Sequence, residues 1–322
     1  MRALLPYIAI AAATCVTPAT YAQPYPAKPV RYVVPFASGD GPDLVARIVG
    51  DRLAKGWGQQ VLVENRTGAG GTIGAAYVAK APADGYTLLI CNIASNAIAQ
   101  SIYTRLPYDI LNDFAMVSRM GLTANVVVVH PSMPIRSIAE YVALAKANPG
   151  KLTYGTGGVG TSPHLSMELF RLTTGINILL VPYKGAAQAA IDLVGGQIPS
   201  MMANLPSILG IILAGKARPL AVTSEKRASP LPDVPTMIES GIPGYVVTPW
   251  YGTCAPAATP MPVLDKLNTD IVQTLQTADV RQRLADLVIE PAPTTREEFA
   301  AFVRSEVERW DKVVKDAGIP RQ

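Results

Sequence analysis

The side chains best suited to metal or nucleophilic chemistry are scarce in this sequence. The chain contains 2 His, at positions 130 and 164, and 3 Cys. No H-x-x-x-H or H-E-x-x-H spacing places two imidazoles on one helix face, as many catalytic zinc sites require. No Ser lies in G-x-S-x-G and no Cys lies in C-x-x-C, which are common settings of an activated nucleophile. We therefore expect neither a metal site nor a nucleophilic enzyme.

Two glycine-rich segments offer a different kind of chemistry. Gly68-Ala69-Gly70-Gly71 follows an apolar run at residues 61–63, and the glycine-rich residues 155–160 follow another at 152–154. A glycine loop between a strand and a helix directs free amide groups and the positive end of the helix dipole at the neighbouring cleft. The alternative role is a tight turn. Because both halves of the chain contain such loops, we favour binding of a small carboxylate.

Hydrophobic periodicity predicts the elements that position these loops. Apolar runs at residues 30–34, 61–63 and 86–91 predict strands, and a helix-period segment opens at Pro42. A second series of strands and helices starts at residues 125–129. This alternation indicates an α/β protein with two mainly parallel sheets flanked by helices.

The length of 322 residues favours two domains, since one domain typically holds about 100–200 residues. An apolar segment at residues 245–254 lies between two proline-dense stretches, and we predict that it returns as a strand to the first domain. Domain I then comprises residues 23–124 and 247–322, and domain II comprises residues 125–246. The strand ends of both sheets would face a common crevice, where ligands bind in open α/β folds.

Residues 1–22 have the features of a secretory signal peptide. Arg2 precedes an apolar stretch at residues 3–16, and Thr20-Tyr21-Ala22 supplies a small-x-small cleavage motif. Cleavage after this motif would release an exported protein. In an oxidising compartment Cys91 and Cys254 could form a disulfide. The simpler expectation is two separate buried thiols, because free Cys is among the most buried residue types.

Composition excludes several classes of protein. Hydrophobic residues make up 49% of the chain and charged residues 16%, which is too apolar for a disordered protein. The net charge of +4 is scattered without a basic stripe, so nucleic acid is not an expected partner. After residue 22 no apolar run approaches the roughly 20 residues of a spanning helix, and we expect a soluble mature chain.

A series of motifs spans nearly all of the chain after residue 22. They are Pro35-Phe36-Ala37-Ser38-Gly39 with Asp43, Val63-Glu64-Asn65-Arg66-Thr67-Gly68-Ala69-Gly70-Gly71, Asp84-Gly85-Tyr86-Thr87-Leu88-Leu89, Tyr154-Gly155-Thr156 with Gly158, Gly160, Thr161 and His164, Val181-Pro182-Tyr183-Lys184-Gly185, and Trp250-Tyr251-Gly252. In this combination they resemble the Bug family, the periplasmic solute-binding proteins of tripartite tricarboxylate transporters. The resemblance implies a two-lobed, type II-like Venus-flytrap fold that closes on a small organic carboxylate in the periplasm.

The resemblance also implies how such a protein works. A receptor of this kind delivers its ligand to membrane permease subunits without a cofactor, a metal or a chemical step, and we expect it to be a monomer. Two alternatives stay open at this point. The same fold could report ligand binding to a signalling partner. An enzyme could also reuse it, with His164 as base and Thr161 or Ser162 as nucleophile, although the sequence shows no carboxylate to orient that base.

The binding positions of the family carry over to both lobes, where the ligand carboxylate is held largely by backbone amides and ordered water. In the first lobe the corresponding residues are Phe36, Ala37, Ser38, Gly39, Asp40, Asp43, Arg66, Gly70 and Ser95. In the second lobe they are Thr156, Gly158, Thr161, His164, Tyr183 and Asn204. For Asp43 an alternative role is to order the first loop rather than to contact the ligand.

Asp40 departs from the family pattern, which usually has a second glycine after Gly39. A carboxylate at this position could repel an anionic ligand, or it could pair with an ammonium group on an amphoteric ligand. The simplest expectation is that the Asp40 side chain faces solvent. The choice of ligand therefore stays open at this stage.

Overall fold

The computed structural model describes residues 25–316, 318, 319 and 321, so the predicted signal peptide at residues 1–22 lies outside the described residues. The strands are β1 (Val30–Val34), β2 (Val61–Asn65), β3 (Thr87–Asn92), β4 (Phe114–Leu122), β5 (Asn125–Val129), β6 (Thr153–Thr156), β7 (Leu179–Pro182), β8 (Ser200–Asn204), β9 (Arg218–Val222), β10 (Trp250–Pro256) and β11 (Glu290–Pro291). The helices are α1 (Gly41–Trp57), α2 (Thr72–Ala79), α3 (Ala99–Ile102), α4 (Ile138–Ala147), α5 (Ser162–Thr174), α6 (Ala186–Val194), α7 (Leu205–Leu213), α8 (Met261–Gln276), α9 (Ala278–Ala285) and α10 (Arg296–Asp316). A 3₁₀ turn at Ala69–Gly71 precedes α2, and a π-helical turn at Ala94–Ile98 precedes α3.

Two separate sheets organise these elements. The first has the strand order β11-β4-β10-β3-β1-β2, and the second has the order β7-β6-β8-β5-β9. The first sheet takes its strands from residues 30–122 and 250–291, and the second from residues 125–222. The α/β class with two sheets flanked by helices is confirmed. The exact domain limits given above stay a prediction.

Each sheet is mixed rather than mainly parallel. Strands β1, β2 and β3 are mutually parallel, and so are β6, β7 and β8. In contrast, β10 is antiparallel to β3 and β4, and β5 is antiparallel to β8 and β9. Strands β5 and β10 are those by which the chain passes from one sheet into the other. Both strands start at the edge of their sheet where the parallel strands end. They therefore run antiparallel to those strands.

The registers show that this edge is shared by the two sheets. Tyr251, at the start of β10, pairs with Asn92 at the end of β3. Asn125, at the start of β5, pairs with Asn204 at the end of β8. The strand-to-helix loops of both sheets therefore open towards one cleft. In the described part of the chain, no helix combines the length and the apolar character needed to cross a membrane.

Packing of apolar side chains fixes the sheets beneath the cleft. The four valines at residues 126–129 of β5 are fully buried, as β-branched side chains in a central strand commonly are. Helix α10 buries Phe299, Val303 and Trp310, and the ring of Phe299 meets the edge of the Trp250 ring at 5.6 Å between centroids. The C-terminal helix is thereby packed on the first sheet, close to the end of β10 that faces the cleft.

Cys91 and Cys254 form a disulfide, so the expectation of two separate thiols is wrong. Cys91 lies in β3 and Cys254 in β10, and their Cα atoms are 5.8 Å apart. The register pairs Cys91 with Gly252, which places Cys254 diagonally across neighbouring strands. The sequence could not establish this proximity, because 163 residues and the whole second sheet separate the two cysteines along the chain.

Candidate functional site

A cavity of about 40 Å³ lies between the two sheets at the shared edge. One buried water needs roughly 10–15 Å³ on this measure, so the cavity has room for a few water molecules. Residues of the first sheet and its loops that line it are Phe36, Asp40, Pro42, Asn92, Ile93, Ala94, Pro249 and Tyr251. Those of the second are Gly157, Thr161, Ser162, Pro163, Ala186, Ala203 and Asn204. The closed cleft therefore holds a small space to which both sheets contribute.

Four of the described helices begin at this cavity. Pro42 and Pro163 lie in the first turns of α1 and α5, Ala186 is the first residue of α6, and Asn204 is the N-cap of α7. The N-terminus of a helix carries free amide groups and a partial positive charge, and both favour an anion. Among the lining residues there is no Lys, Arg or His. Attraction for an anion must therefore come from the backbone.

Asp40 lines the cavity, so the expectation that its side chain faces solvent is wrong. It is the N-cap of α1, but its side chain makes no capping hydrogen bond. The backbone amides of Ala186, across the cleft, and of Ala37 lie close enough to the carboxylate to lower its pKa. Burial raises the pKa of Asp40 to about 6, although these two amides oppose the shift. The protein therefore places one of its own carboxylates in the space between the sheets.

Tyr251 is a cavity residue that the sequence analysis did not assign to the site. Its side chain is 2% exposed, and its hydroxyl has no hydrogen-bond partner among the described residues. The hydroxyl lies against the backbone of Gly41, where any Cβ would overlap it. Burial, followed by the nearby charge of Asp40, raises the pKa of this phenol. The motif Trp250-Tyr251-Gly252 was the available signal, but it does not reveal the direction of the ring.

Asp43 orders the loop between β1 and α1 and does not line the cavity. Its buried carboxylate accepts hydrogen bonds from the Gly39 amide at 2.9 Å and the Ser38 hydroxyl at 3.2 Å. Arg47 donates to it twice at 2.9 Å, and Asn65 donates at 2.9 Å. Burial alone would raise the pKa of Asp43, but these donors hold it below the usual value. The alternative role considered for Asp43 therefore fits its contacts.

Arg66 and Ser95 are likewise engaged outside the cavity lining. Arg66 pairs with Glu64 at 2.6 Å, and its guanidinium lies 3.7 Å from the centre of the Tyr77 ring. Ser95 is buried in the π-helical turn, where its hydroxyl donates to the Asn96 side chain at 2.7 Å. Both residues support the loops around the cleft instead of facing it.

The loop between β6 and α5 is held by its own polar groups. The Thr161 hydroxyl donates to the Gly158 carbonyl at 2.7 Å and lies 3.3 Å from the Thr156 hydroxyl. His164 accepts a hydrogen bond from the Gly160 amide at 3.2 Å through Nδ1. Burial lowers the pKa of His164, which favours the neutral imidazole that this hydrogen bond requires. Of these residues only Thr161 lines the cavity.

Of the two remaining predicted residues of the second lobe, Asn204 lines the cavity and Tyr183 does not. Asn204 lines the cavity and donates to the Asn125 side chain at 2.5 Å. Tyr183 lies outside the lining, and its hydroxyl donates to Asp192 at 2.7 Å. In total, four of the predicted residues line the cavity, namely Phe36, Asp40, Thr161 and Asn204. The others surround it as parts of the loops: Ala37, Ser38, Gly39, Asp43, Arg66, Gly70, Ser95, Thr156, Gly158, His164 and Tyr183.

Loops of the two sheets touch across the cleft. A Cβ placed on Gly70 would lie 3.3 Å from the Val159 carbonyl oxygen and 3.4 Å from the Gly160 carbonyl carbon. A Cβ placed on Gly185 would lie 3.4 Å from the Cβ of Ala37. Together with the approach of the Ala186 amide to the Asp40 carboxylate, these contacts define a closed arrangement.

A model of the tripartite tricarboxylate transporter family receptor matches residues 45–319. The chain belongs to this receptor family. The resemblance inferred from the motifs is thereby confirmed, and so is the prediction that the chain is not an enzyme. The contacts agree, since the Thr161 hydroxyl donates to Gly158 and the Ser162 hydroxyl accepts from Asn125 at 2.8 Å. Neither hydroxyl is hydrogen-bonded to His164, which would be required of an activated nucleophile.

Individual relatives of this receptor are similar over nearly their whole length. BugT from Bordetella pertussis is 37% identical over 320 residues, covering 99% of this chain and 98% of BugT. The structure of R. palustris Rpa4515 with adipate is 38% identical, with a TM-score of 0.90 over 92% of this chain and 100% of that chain. MatC from Rhodopseudomonas palustris with bound malate is 31% identical, with a TM-score of 0.84 over 90% of this chain and 100% of MatC. The two-lobed binding-protein fold of this receptor is thereby confirmed.

Proposed function

We propose that this receptor captures a small organic carboxylate between its lobes and delivers it to the permease subunits of a tripartite transporter. The observation that carries the proposal is the cavity at which α1, α5, α6 and α7 all begin. Amide groups and helix dipoles from both sides converge there, and they favour a negative charge without any basic side chain. Capture is a binding event with no chemical step.

The ligands of two relatives support a carboxylate as the ligand class. Rpa4515 is described with adipate and MatC with malate, and both of these compounds are dicarboxylates. The cavity of the closed cleft is smaller than either compound. Binding of an acid of that size therefore requires the two lobes to separate further than they do here.

Closure by hinge motion follows from the connections between the lobes. We assign residues 23–124 and 247–322 to the first lobe and residues 125–246 to the second. The chain then crosses next to β5 and again before β10, and few residues need to change conformation for the cleft to open. We further propose that the chain is exported by cleavage after Ala22 and that it acts in the periplasm as a monomer.

Within this proposal the predicted site residues have two roles. The backbone of Phe36 and those of the first turns of α5, α6 and α7 contact the ligand directly or through water, whereas the Ala37 amide faces Asp40. The polar side chains of Asp43, Ser95 and His164 hold the loops that present those backbones. Tyr251 adds a hydroxyl that has no partner within the protein.

A ligand-stripped preparation of residues 23–322 tests the proposal. The chain is unfolded, dialysed and refolded, then screened by thermal shift against mono- and dicarboxylates of two to six carbons. A ligand of the native state raises Tm, and the stabilisation grows with the logarithm of one plus the ratio of ligand concentration to Kd; sodium chloride at equal ionic strength is the control. Mass analysis must return the acid unaltered. Unchanged Tm with all acids, or conversion of the acid, would contradict the proposed function.

A further inference from the structure

The carboxylate of Asp40 does not cap α1, the helix that follows it. An Asp at the N-cap normally accepts a hydrogen bond from the second or third amide of the helix. In α1 the second amide is absent because Pro42 has no N–H, and the third, that of Asp43, donates to the backbone carbonyl of Asp40 at 2.9 Å. The side chain makes no capping bond. Its direction into the cleft therefore contributes no hydrogen bond to the start of α1.

The carboxylate faces amide donors that would suit a ligand. One donor is Ala186, the first residue of α6 in the second lobe, and the other is Ala37 in the first lobe. A carboxylate has about four lone-pair positions for hydrogen bonds. With two positions directed at these amides, Asp40 retains acceptor capacity on the side of the cavity that it lines.

No basic side chain of the cavity lining balances the charge of Asp40. The lining contains no Lys, Arg or His, and the nearby Asp43 is already paired with Arg47. Like charges at short distance disfavour each other, whereas an ammonium group beside a carboxylate is favoured. A ligand with two carboxylates would therefore meet repulsion here, and a ligand with an ammonium group would meet a partner.

Tyr251 supplies independent evidence for a polar ligand group at this end of the cavity. Its hydroxyl is buried and unpartnered among the described residues, which is rare for a buried polar atom. The hydroxyl lies against Gly41, the residue next to Asp40. A phenol oxygen can accept a hydrogen bond from the same ammonium group that Asp40 attracts.

We propose that Asp40 and Tyr251 make this receptor selective for acids with one carboxylate and one ammonium group, and against dicarboxylates. The ligand carboxylate faces the amides at the start of α5, and the ammonium group lies between the Asp40 carboxylate and the Tyr251 hydroxyl. This inference rests on the proposed function and names the ligand class for the same cavity. It sets this chain apart from the relatives described with adipate and malate.

Calorimetric titration with matched acids tests the inference. For each chain length from two to six carbons, the probes are the dicarboxylate, the ω-amino acid and the plain monocarboxylate, for example adipate, 6-aminohexanoate and hexanoate. They are titrated into the wild type, Asp40→Gly and Asp40→Asn. Gly is tolerated at an N-cap at little cost, so Asp40→Gly should fold. Glu225→Gln removes an exposed carboxylate and controls for the change in net charge.

The expected result is a preference of the wild type for one ω-amino acid over its dicarboxylate by at least about tenfold in Kd. Both Asp40 variants should lose that preference, and Glu225→Gln should keep it. The same preference in the wild type and in Asp40→Gly would overturn the inference and leave the proposed function intact. If the wild type binds none of the carboxylates at any length, the proposed function itself is contradicted.

Discussion

Removal of the Tyr251 hydroxyl should change the affinity for the ligand without lowering the stability of the protein. It is buried without a partner, so Tyr251→Phe deletes no hydrogen bond within the protein. We expect the Tm of the ligand-free variant to stay equal to that of the wild type or to rise slightly. Affinity for the ligand should fall about three- to tenfold, because a net hydrogen bond contributes about 0.5–1.5 kcal/mol. Scanning calorimetry and titration calorimetry measure the two effects.

Tyr141→Phe is the matched control for that variant. The Tyr141 hydroxyl is also buried, but it is hydrogen-bonded to Ser200 at 2.9 Å and lies outside the cavity lining. This control should lower stability by about 1 kcal/mol and leave affinity unchanged. A clear loss of stability in Tyr251→Phe, with unchanged affinity, would show that the Tyr251 hydroxyl has a structural role.

Asp40 gives a second prediction at the scale of one residue, in the dependence of stability on pH. Burial raises its pKa to about 6 from an ordinary value of 3.8, so the folded state binds more protons between these limits. Stability must then fall as pH rises through this window. Asp43 and Tyr251 face the same group, but the pKa of Asp43 is lowered and that of Tyr251 is raised, so neither titrates there.

The measurement compares Tm for the wild type and Asp40→Asn at pH 4, 5, 6 and 7. The difference isolates Asp40, because other titrating groups are common to both proteins. The wild type should be most stable relative to the variant near pH 4, and its Tm should decline relative to the variant towards pH 7. A Tm difference that is flat over this range, or that grows in favour of the wild type with pH, would contradict burial of the carboxylate.

At the scale of elements, the loop between β1 and α1 depends on Asp43. Asp43→Asn removes the charge that Arg47 neutralises and replaces an acceptor of the Gly39 amide. Hydrogen bonds to a charged group contribute about 1.5–3 kcal/mol, so we expect a loss of stability of that order. Because the loop carries Phe36 and Asp40, affinity should fall as well. Urea unfolding and titration calorimetry measure both, and unchanged values would show that the loop is ordered without Asp43.

The sequence predicts those elements that local periodicity determines. It does not predict features that depend on chain topology or on contacts across the cleft. Strand β1 and the helix starting near Pro42 follow from local periodicity, and the structure has both where they were expected. The reversed directions of β5 and β10 follow from how the chain passes between sheets, which no local pattern records. The direction of the Asp40 and Tyr251 side chains depends on contacts across the cleft. For that reason the sequence identified the loops but misplaced Asp40 and missed Tyr251.

At the scale of the whole molecule, the disulfide between Cys91 and Cys254 stabilises the first lobe. It links β3, which precedes the second sheet in the chain, to β10, which follows it. Replacing both cysteines by alanine should lower the unfolding free energy by about 2–5 kcal/mol, because the unfolded chain loses a long-range constraint. Affinity should be unchanged, since neither residue lines the cavity. Calorimetry with and without reductant gives the measurement, and an unaltered Tm would show that the bond contributes nothing.

Capture of a ligand depends on closure of the two lobes. The contacts between the lobes in the closed state suggest where a disulfide could lock them together. A Cβ on Gly185 would lie 3.4 Å from the Cβ of Ala37, close to the roughly 3.5–4.5 Å that disulfides span. The backbone of Gly185 is extended, with φ of 170°, so a side chain is permitted there. Both native cysteines are fully buried whereas Ala37 is partly exposed, so a mild reductant should open the engineered bond first.

The double variant Ala37→Cys, Gly185→Cys should therefore oxidise readily and lock the cleft. When oxidised without ligand it should bind no acid, and when oxidised after loading it should retain the acid through dialysis. Mild reductant should restore exchange in both cases, and small-angle scattering should give the oxidised form a smaller radius of gyration than the reduced, empty form. The single variant Ala37→Cys, treated identically, is the control. Rapid ligand exchange by the oxidised double variant would mean that the acid reaches its site without separation of the lobes.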